Sequence, residues 1–258
     1  MTQSSSAEEW RAQLAELVAR SRAGTLAPLG GIHTYDPQAV TGYREAAVLM
    51  LFTTTTPGSG PARARRQAAS AEDDSTGLPD VFLVQRSREL RQHPGEIALP
   101  GGRLEVDEDA VSGALREAHE EIGLHPRFVE VIGPIAPLAM PHSRFVVTPV
   151  LGWTDHPGAA TEIEPGEVLH TIRVPVARLV APEVRCSATF AGRRSTGFLL
   201  PDGLVWGMTA NLLDHVLAEL GWAGPWDPGR EVAIRRGPGG VWEIAALPAD
   251  HEPAGGGR

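Results

Sequence analysis

An α+β domain is the fold class that the sequence predicts, and three observations support it. Short apolar runs of strand length are interspersed with amphipathic helical stretches. Their order lacks the regular strand–helix–strand alternation that produces a parallel α/β sheet. A hydrophobic content of 42% over 258 residues is sufficient for a sizeable core. We therefore expect strands mixed with two or three helices around one core.

Local patterns place the individual elements. Trp10, Leu14, Leu17 and Val18 recur at helical spacing, which predicts an amphipathic helix over residues 7–23. A second amphipathic helix is predicted over residues 209–220. The first two strands are expected to pair as a hairpin, and the last two to form a small terminal hairpin. The predicted strands are residues 46–52, 80–86, 128–132, 145–151, 168–174, 204–206, 231–234 and 241–245.

Composition shifts divide the chain into three parts. Residues 1–30 are predicted to be an N-terminal helical extension, and residues 31–225 the main domain. Residues 226–258 are predicted to form the terminal hairpin followed by a disordered tail. Within the main domain, residues 57–79 are rich in Gly, Pro, Ser and Ala without periodicity, which predicts a flexible insertion.

Charge and cysteine usage restrict the partners. The formal net charge is −9, and every basic residue apart from histidine is arginine, so no basic footprint for nucleic acid is expected. No run approaches 18 apolar residues, and the first residues lack the pattern of a secretory signal, so we expect no membrane partner. Cys186 is the single cysteine and cannot form an internal disulfide. The expected location is cytoplasmic, and the apolar face of the N-terminal helix makes a homodimer plausible.

Residues 102–124 carry the chemistry. A helix is expected from about Asp109, with Asp107 or Asp109 as its N-cap and Gly123 at its end. Its docking face on a sheet would be apolar, including Ala114 and Ala118. This arrangement predicts a loop–helix–loop segment.

Three glutamates on that helix suggest a cation site. Glu117, Glu120 and Glu121 are spaced i, i+3 and i+4, so we expect them to share a face distinct from the docking face. Hard divalent cations prefer carboxylate oxygens. On these three residues alone, a solvated acidic surface is an equally good interpretation.

The spacing of residues 102–124 as a whole favours a cation site over a solvated acidic surface. From Gly102 the order is Gly, five residues, Glu108, seven residues, and then Arg-Glu-Ala-His-Glu-Glu-Ile-Gly-Leu over residues 116–124. It resembles the Nudix box, Gly-x5-Glu-x7-Arg-Glu-U-x-Glu-Glu-x-Gly-U with U aliphatic, at every specified position; Ala118 is small for its aliphatic position. The resemblance implies the Nudix fold, an α/β/α sandwich around a mixed sheet, and metal-dependent hydrolysis of a diphosphate linkage.

The same resemblance implies roles for individual residues. Glu117, Glu120 and Glu121 would be the metal ligands, together with the backbone carbonyl of Gly101. The implied cofactor is Mg²⁺ or Mn²⁺. These ions would neutralise the phosphate oxygens and lower the pKa of an attacking water.

The remaining catalytic candidates surround those ligands. Arg116 is expected to orient a glutamate by an ion pair, with Glu108 in a similar supporting role. Glu120 is the first candidate for the general base, and Glu167 is the second. For Glu167, a position in a surface turn is an equally good interpretation.

The segment before the box indicates which substrate is bound. It reads as a strand ending in an arginine-rich turn, and arginine holds phosphates through bidentate hydrogen bonds. It resembles the signature of coenzyme A pyrophosphatases, roughly Leu-Leu-Thr-x-Thr-Ser-x3-Arg-x3-Gly-x3-Phe-Pro-Gly-Gly. The matching residues are Leu83, Ser87, Arg91, Gly95, Pro100, Gly101 and Gly102, and the departures are Phe82, Val84, Arg86 and Leu99.

This second resemblance implies cleavage of coenzyme A, or of a derivative, into 3′,5′-ADP and 4′-phosphopantetheine. Arg86 and Arg91 are the candidates for phosphate contacts, with Ser87 and Gly95 completing the substrate site. Arg88 is a third arginine candidate, and His93 either donates to the substrate or stabilises the turn. The alternatives are a Nudix hydrolase of ADP-ribose, a dinucleotide or another nucleoside diphosphate derivative, and a non-catalytic Nudix-like binding module.

Overall fold

Two β-sheets and four α-helices make up the part of the chain that the structure covers, and the helix Gly207–Glu219 also contacts the smaller sheet. The computed structural model describes residues 3–54, 77–90, 93–160 and 168–248. Its helices are α1 (Gln3–Arg22), α2 (Ala110–Ile122), α3 (Val176–Val180) and α4 (Gly207–Glu219). Its strands are β1 (Arg44–Thr53), β2 (Asp80–Arg86), β3 (Ile97–Ala98), β4 (Gly101–Arg103), β5 (Glu130–Pro134), β6 (Leu138–Met140), β7 (Phe145–Thr154), β8 (Val168–Pro175), β9 (Arg185–Phe190), β10 (Arg193–Leu200), β11 (Gly203–Trp206), β12 (Glu231–Arg236) and β13 (Trp242–Ala246).

The larger sheet is mixed and lies between two layers of helices. β1 runs parallel to β7 along its whole length and antiparallel to β2. Alternate side chains of β1 enter two different cores because a strand has a period of two. Met50 and Phe52 pack with α1 and α4, whereas Leu49 and Leu51 pack with α2. The predicted α/β/α sandwich around a mixed sheet is therefore confirmed.

The centre of this sheet is split where the box begins. β1 and β2 are in register only at Phe52↔Val81 and Thr53↔Asp80. Towards the other end, the segment 97–103 enters between them: β3 pairs with β2, and β4 pairs with β1. The hairpin predicted for the first two strands thus exists over two residue pairs, and the full-length antiparallel neighbour of β2 is β8.

Helix α1 packs against its own domain. Leu14 and Leu17 are buried in the core beneath the larger sheet, and the ring of Trp10 lies 6.0 Å from that of Trp153. The apolar face that suggested a homodimer is therefore covered within the chain. It no longer supports a subunit interface.

The C-terminal hairpin belongs to a second sheet. This sheet has the order β11-β10-β9-β12-β13, and β12 runs parallel to β9. The two hairpin strands were predicted, but β9 and β10 were not. The predicted disordered tail falls mostly outside the described residues, as does most of the insertion predicted at 57–79.

Candidate active site

Helix α2 is fixed at both ends by its own sequence. Asp109 is the N-cap, and its Oδ1 accepts a hydrogen bond from the backbone N–H of Ser112 at 2.9 Å. Gly123 ends the helix at φ +67°, a conformation that favours glycine. Of the two predicted caps, Asp107 instead lies in the preceding turn at φ +62°. The loop–helix–loop predicted for residues 102–124 is confirmed.

The three box glutamates differ in exposure. Their side chains are 15% exposed at Glu117, 57% at Glu120 and 5% at Glu121. Glu121 is buried together with the docking residues Ala114 and Ala118, so the face that carries the glutamates adjoins the docking face and is not separate from it as expected. Consecutive helical residues are turned by about 100°, so Glu121 points towards the sheet when Glu120 points to solvent.

Glu121 is tied to the split in the sheet. Its Oε2 accepts a hydrogen bond from the backbone N–H of Gly101 at 2.9 Å, and its Oε1 lies 3.5 Å from Nη1 of Arg86. Gly101 has φ +155°, and a Cβ there would lie 2.6 Å from the Cα of Val48. Only glycine permits this close approach of β4 to β1. Residues from β2, β4 and α2 thus meet at one carboxylate.

Glu117 lies directly against the backbone of the next glycine. A Cβ added to Gly102 would lie 2.5 Å from Cδ of Glu117. Glu117 therefore occupies the space that any larger residue at position 102 would fill. The box glycine is needed for this contact, a reason that spacing alone does not reveal.

Arg116 connects the carboxylates. Its Nη1 donates to Glu117 at 2.9 Å and to Glu120 at 3.1 Å. Nε and Nη2 donate to the two oxygens of Glu108, and Nη2 also donates to the carbonyl of Arg103. The hydrogen bonds from Arg116 hold the pKa of the Glu108 carboxyl below its usual range. Arg116 thus occupies the position expected of a residue that orients the glutamates.

The donor chemistry of this cluster fits a hard divalent cation. Glu117, Glu120, Glu121 and the carbonyl of Gly101 offer only oxygen atoms, the ligands that Mg²⁺ and Mn²⁺ prefer. Among the residues that the structure describes, no three side chains of histidine, cysteine, aspartate or glutamate are gathered as a preformed metal site. Arg116 holds Glu117 and Glu120 instead, and Gly101 holds Glu121.

The turn before the box is shaped by two of the predicted substrate residues. The carbonyl of Ser87 accepts from the N–H groups of Leu90 at 3.4 Å and Gly95 at 3.3 Å, while its Oγ accepts from the N–H of Glu89. Gly95 has φ +73°. Ser87 and Gly95 therefore define the shape of the turn. The predicted substrate contact Arg91 and the predicted base Glu167 both lie outside the described residues.

His93 stabilises this turn. Its Nδ1 lies 3.0 Å from a carboxylate oxygen of Glu96. The hydrogen bond to Glu96 raises the pKa of His93 above its ordinary value, although partial burial opposes the shift. Of the two interpretations of His93, the geometry supports the turn-stabilising one.

This combination of fold and site defines a class, a hydrolase built on a carboxylate-bearing loop–helix–loop beside a mixed sheet. The NUDIX domain model matches residues 63–185. The chain is 32% identical over 146 residues to a protein named "Uncharacterized Nudix hydrolase NudL" from Photorhabdus laumondii, covering 55% of this chain and 76% of the relative. The chain belongs to the Nudix hydrolase family, whose members act on pyrophosphate bonds.

A second relative has a more specific name. The chain is 41% identical over 105 residues to the mouse "Peroxisomal coenzyme A diphosphatase NUDT7", covering 40% of this chain and 44% of that protein. A crystal structure of a Nudix hydrolase from M. smegmatis, RenU, overlaps 52% of this chain and 71% of its own with 23% identity and a TM-score of 0.37. In the described ranges, no helix is both long and apolar enough to span a bilayer.

Proposed function

We propose that this enzyme hydrolyses the diphosphate linkage of coenzyme A or a close derivative, giving 3′,5′-ADP and 4′-phosphopantetheine. The observation that carries the proposal is the Ser87-x3-Arg91-x3-Gly95 turn leading directly into Gly101-Gly102 and the box. Arg86, the last residue of β2 before this turn, contacts Glu121. The turn therefore lies next to the box carboxylates. Similarity to a mouse coenzyme A diphosphatase supports the same substrate.

In this proposal, Mg²⁺ or Mn²⁺ is held by Glu117, Glu120, Glu121 and the carbonyl of Gly101. When bound, the metal would neutralise charge on the diphosphate and lower the pKa of the attacking water. A chain with a net charge of −9 needs such local positive charge to bind a polyanion.

The other residues act on the ligands or on the substrate. Arg116 is a positioning residue, because it contacts Glu117 and Glu120. Glu120 is the proposed general base, since it is the most exposed of the three box glutamates, and Glu167 is the alternative. Arg86 and Arg91 contact the phosphates, and Ser87 and Gly95 hold the turn that presents them.

The test is hydrolysis of a nucleotide-diphosphate panel with Mg²⁺ or Mn²⁺, with the products identified by mass. The panel contains coenzyme A, its oxidised and acylated forms, ADP-ribose, a dinucleotide and a nucleoside triphosphate. The proposal predicts the highest kcat/KM for coenzyme A or a derivative, with release of 4′-phosphopantetheine or its derivative. Faster cleavage of ADP-ribose or a dinucleotide would keep the Nudix chemistry and contradict the substrate. No turnover despite metal binding would favour a binding module.

A further inference from the structure

A cavity of about 470 Å³ lies between the turn before the box and the second sheet. The turn side contributes Gln85, Gly95 and Ile97, and the second sheet contributes Trp206 and Trp242. Volumes of this size are typical of sites that enclose most of a small organic ligand. The second-sheet wall lies after residue 185, where the match to the family model ends.

The walls of the cavity favour a flexible apolar group over a flat one. The rings of Trp206 and Trp242 meet edge to face, with centroids 4.8 Å apart and planes at 70°. The guanidinium of Arg236 lies over the ring of Trp242 at 5.4 Å. The two indoles therefore form a corner, in which a flat ring could stack on one indole but could not lie parallel to both. A chain bearing methyl groups can fill such a corner.

The charges around the cavity disfavour phosphate. Among the residues that the structure describes, three carboxylates line it, Glu96, Asp202 and Glu243, and one arginine, Arg88. Glu96 contacts His93, and Asp202 lies 3.5 Å from His170. These contacts hold the two carboxylates in the wall of the cavity. Carboxylates repel phosphate oxygens and accept hydrogen bonds from N–H groups. The cavity thus suits an uncharged ligand with amide donors.

The cavity and the carboxylate cluster lie on opposite sides of one strand end. Gln85 and Arg86 are consecutive in β2, and side chains of consecutive strand residues point to opposite faces. Gln85 lines the cavity, whereas Arg86 contacts Glu121. The box glutamates do not line the cavity. A substrate with its diphosphate near Arg86 would reach the cavity by extending one arm around the end of β2.

We propose that this cavity binds the pantetheine arm of the substrate, an uncharged chain with two amides and a gem-dimethyl group. The identity of the whole substrate rests on the proposed function, but the recognition of the arm can be measured without hydrolysis. The C-terminal hairpin would then determine which diphosphates the enzyme prefers. Its residues would act by binding the arm, with no part in the chemical step.

The experiment is calorimetric titration of the full chain with pantetheine, which carries no phosphate, in the absence of metal. Val241→Trp fills the cavity from its wall, and Ile244→Trp does so from a position that is 40% exposed and therefore tolerates substitution. Leu247→Trp, 41% exposed and outside the lining, is the matched control. We expect the wild type and the control to bind pantetheine with similar affinity. The cavity variants that remain folded should bind it at least tenfold more weakly.

Absence of pantetheine binding, equal binding by all folded variants, or binding of adenosine at the cavity in place of pantetheine would overturn the assignment. The kinetics of coenzyme A cleavage test the cavity assignment and the proposed function separately. The cavity variants should raise the KM for coenzyme A about tenfold with little change in kcat, and leave cleavage of ADP-ribose unchanged. Pantetheine binding by an enzyme that does not cleave coenzyme A would overturn the proposed function alone.

Discussion

The guanidinium of Arg116 binds the carboxylate of Glu108 through two hydrogen bonds, Nε to Oε1 at 2.9 Å and Nη2 to Oε2 at 3.0 Å. This paired contact fixes the plane of the guanidinium, and its remaining nitrogen then reaches Glu117 and Glu120. Lysine keeps the charge but cannot form the same fork. Arg116→Lys should therefore lower kcat by about 10- to 100-fold, the usual effect of losing a residue that orients metal ligands.

A metal titration of activity distinguishes this role from a purely structural one. Arg116→Lys should raise the Mg²⁺ concentration required for half-maximal activity and leave the melting temperature nearly unchanged. Arg178→Lys is the matched control, because Arg178 forms an exposed ion pair with Glu183 at 3.2 Å. Wild-type metal dependence in Arg116→Lys would show that Arg116 does not position the ligands.

Gly102→Ala should separate activity from folding. The added Cβ would meet the carboxylate end of Glu117, a flexible group that can move aside, so the fold should persist. Displacement of the carboxylate should lower kcat at least about tenfold, as mutation of residues that orient metal ligands does. Gly30→Ala, which introduces a Cβ with nothing within 4 Å, serves as the control. Equal activity of both variants would contradict the assigned importance of the Gly102–Glu117 contact.

The turn before the box should respond to pH through His93. Because its pKa is raised by Glu96, the imidazolium form stabilises the folded turn, and this contribution is lost as the pH rises through the raised pKa. NMR titration of the histidine ring protons should find the pKa of His93 above 6.5, and Glu96→Gln should lower it. A pKa at or below 6.5 in the wild type would exclude the ion pair in solution.

Cys186 should be unreactive in the native protein. It is fully buried beside Val232 and Ile234, and desolvation raises the pKa of its thiol to about 11. A thiol reagent at pH 8 should therefore modify the native chain slowly and the denatured chain at once. Rapid stoichiometric labelling without denaturant would show that the second sheet opens readily in solution.

The parts of the fold that were predictable have local causes. Helix α2 could be bounded from the sequence because Asp109 caps it and Gly123 ends it. Strands β1 and β2 are recognisable as apolar runs. β9 and β10 were missed because polar residues and arginines interrupt their apolar pattern. The first four residues of β9 are all buried although they include Arg185 and Ser187, and β10 begins with the exposed Arg193 and Arg194. β3 and β4 have two and three residues and leave little periodic signal.

The candidate site shows a similar division. The identity of its residues follows from spacing, but their contacts depend on tertiary packing. The burial of Glu121 requires the close approach of Gly101 to β1, and no local pattern encodes that approach. The cavity was not predicted because its walls come from residues 85–97 and 202–244, which are distant in the sequence.

The most direct test of the central claim is the formation of 3′,5′-ADP from coenzyme A by the wild type and by Glu121→Gln, at saturating Mg²⁺. Glutamine keeps an oxygen that can accept from the N–H of Gly101, so the fold should persist, but it removes the charge proposed to bind metal. The account predicts rapid product formation by the wild type. In the variant, the rate should fall by more than the roughly 100-fold that is typical when a residue orienting the metal ligands is mutated. Equal rates, with both proteins folded, would contradict it.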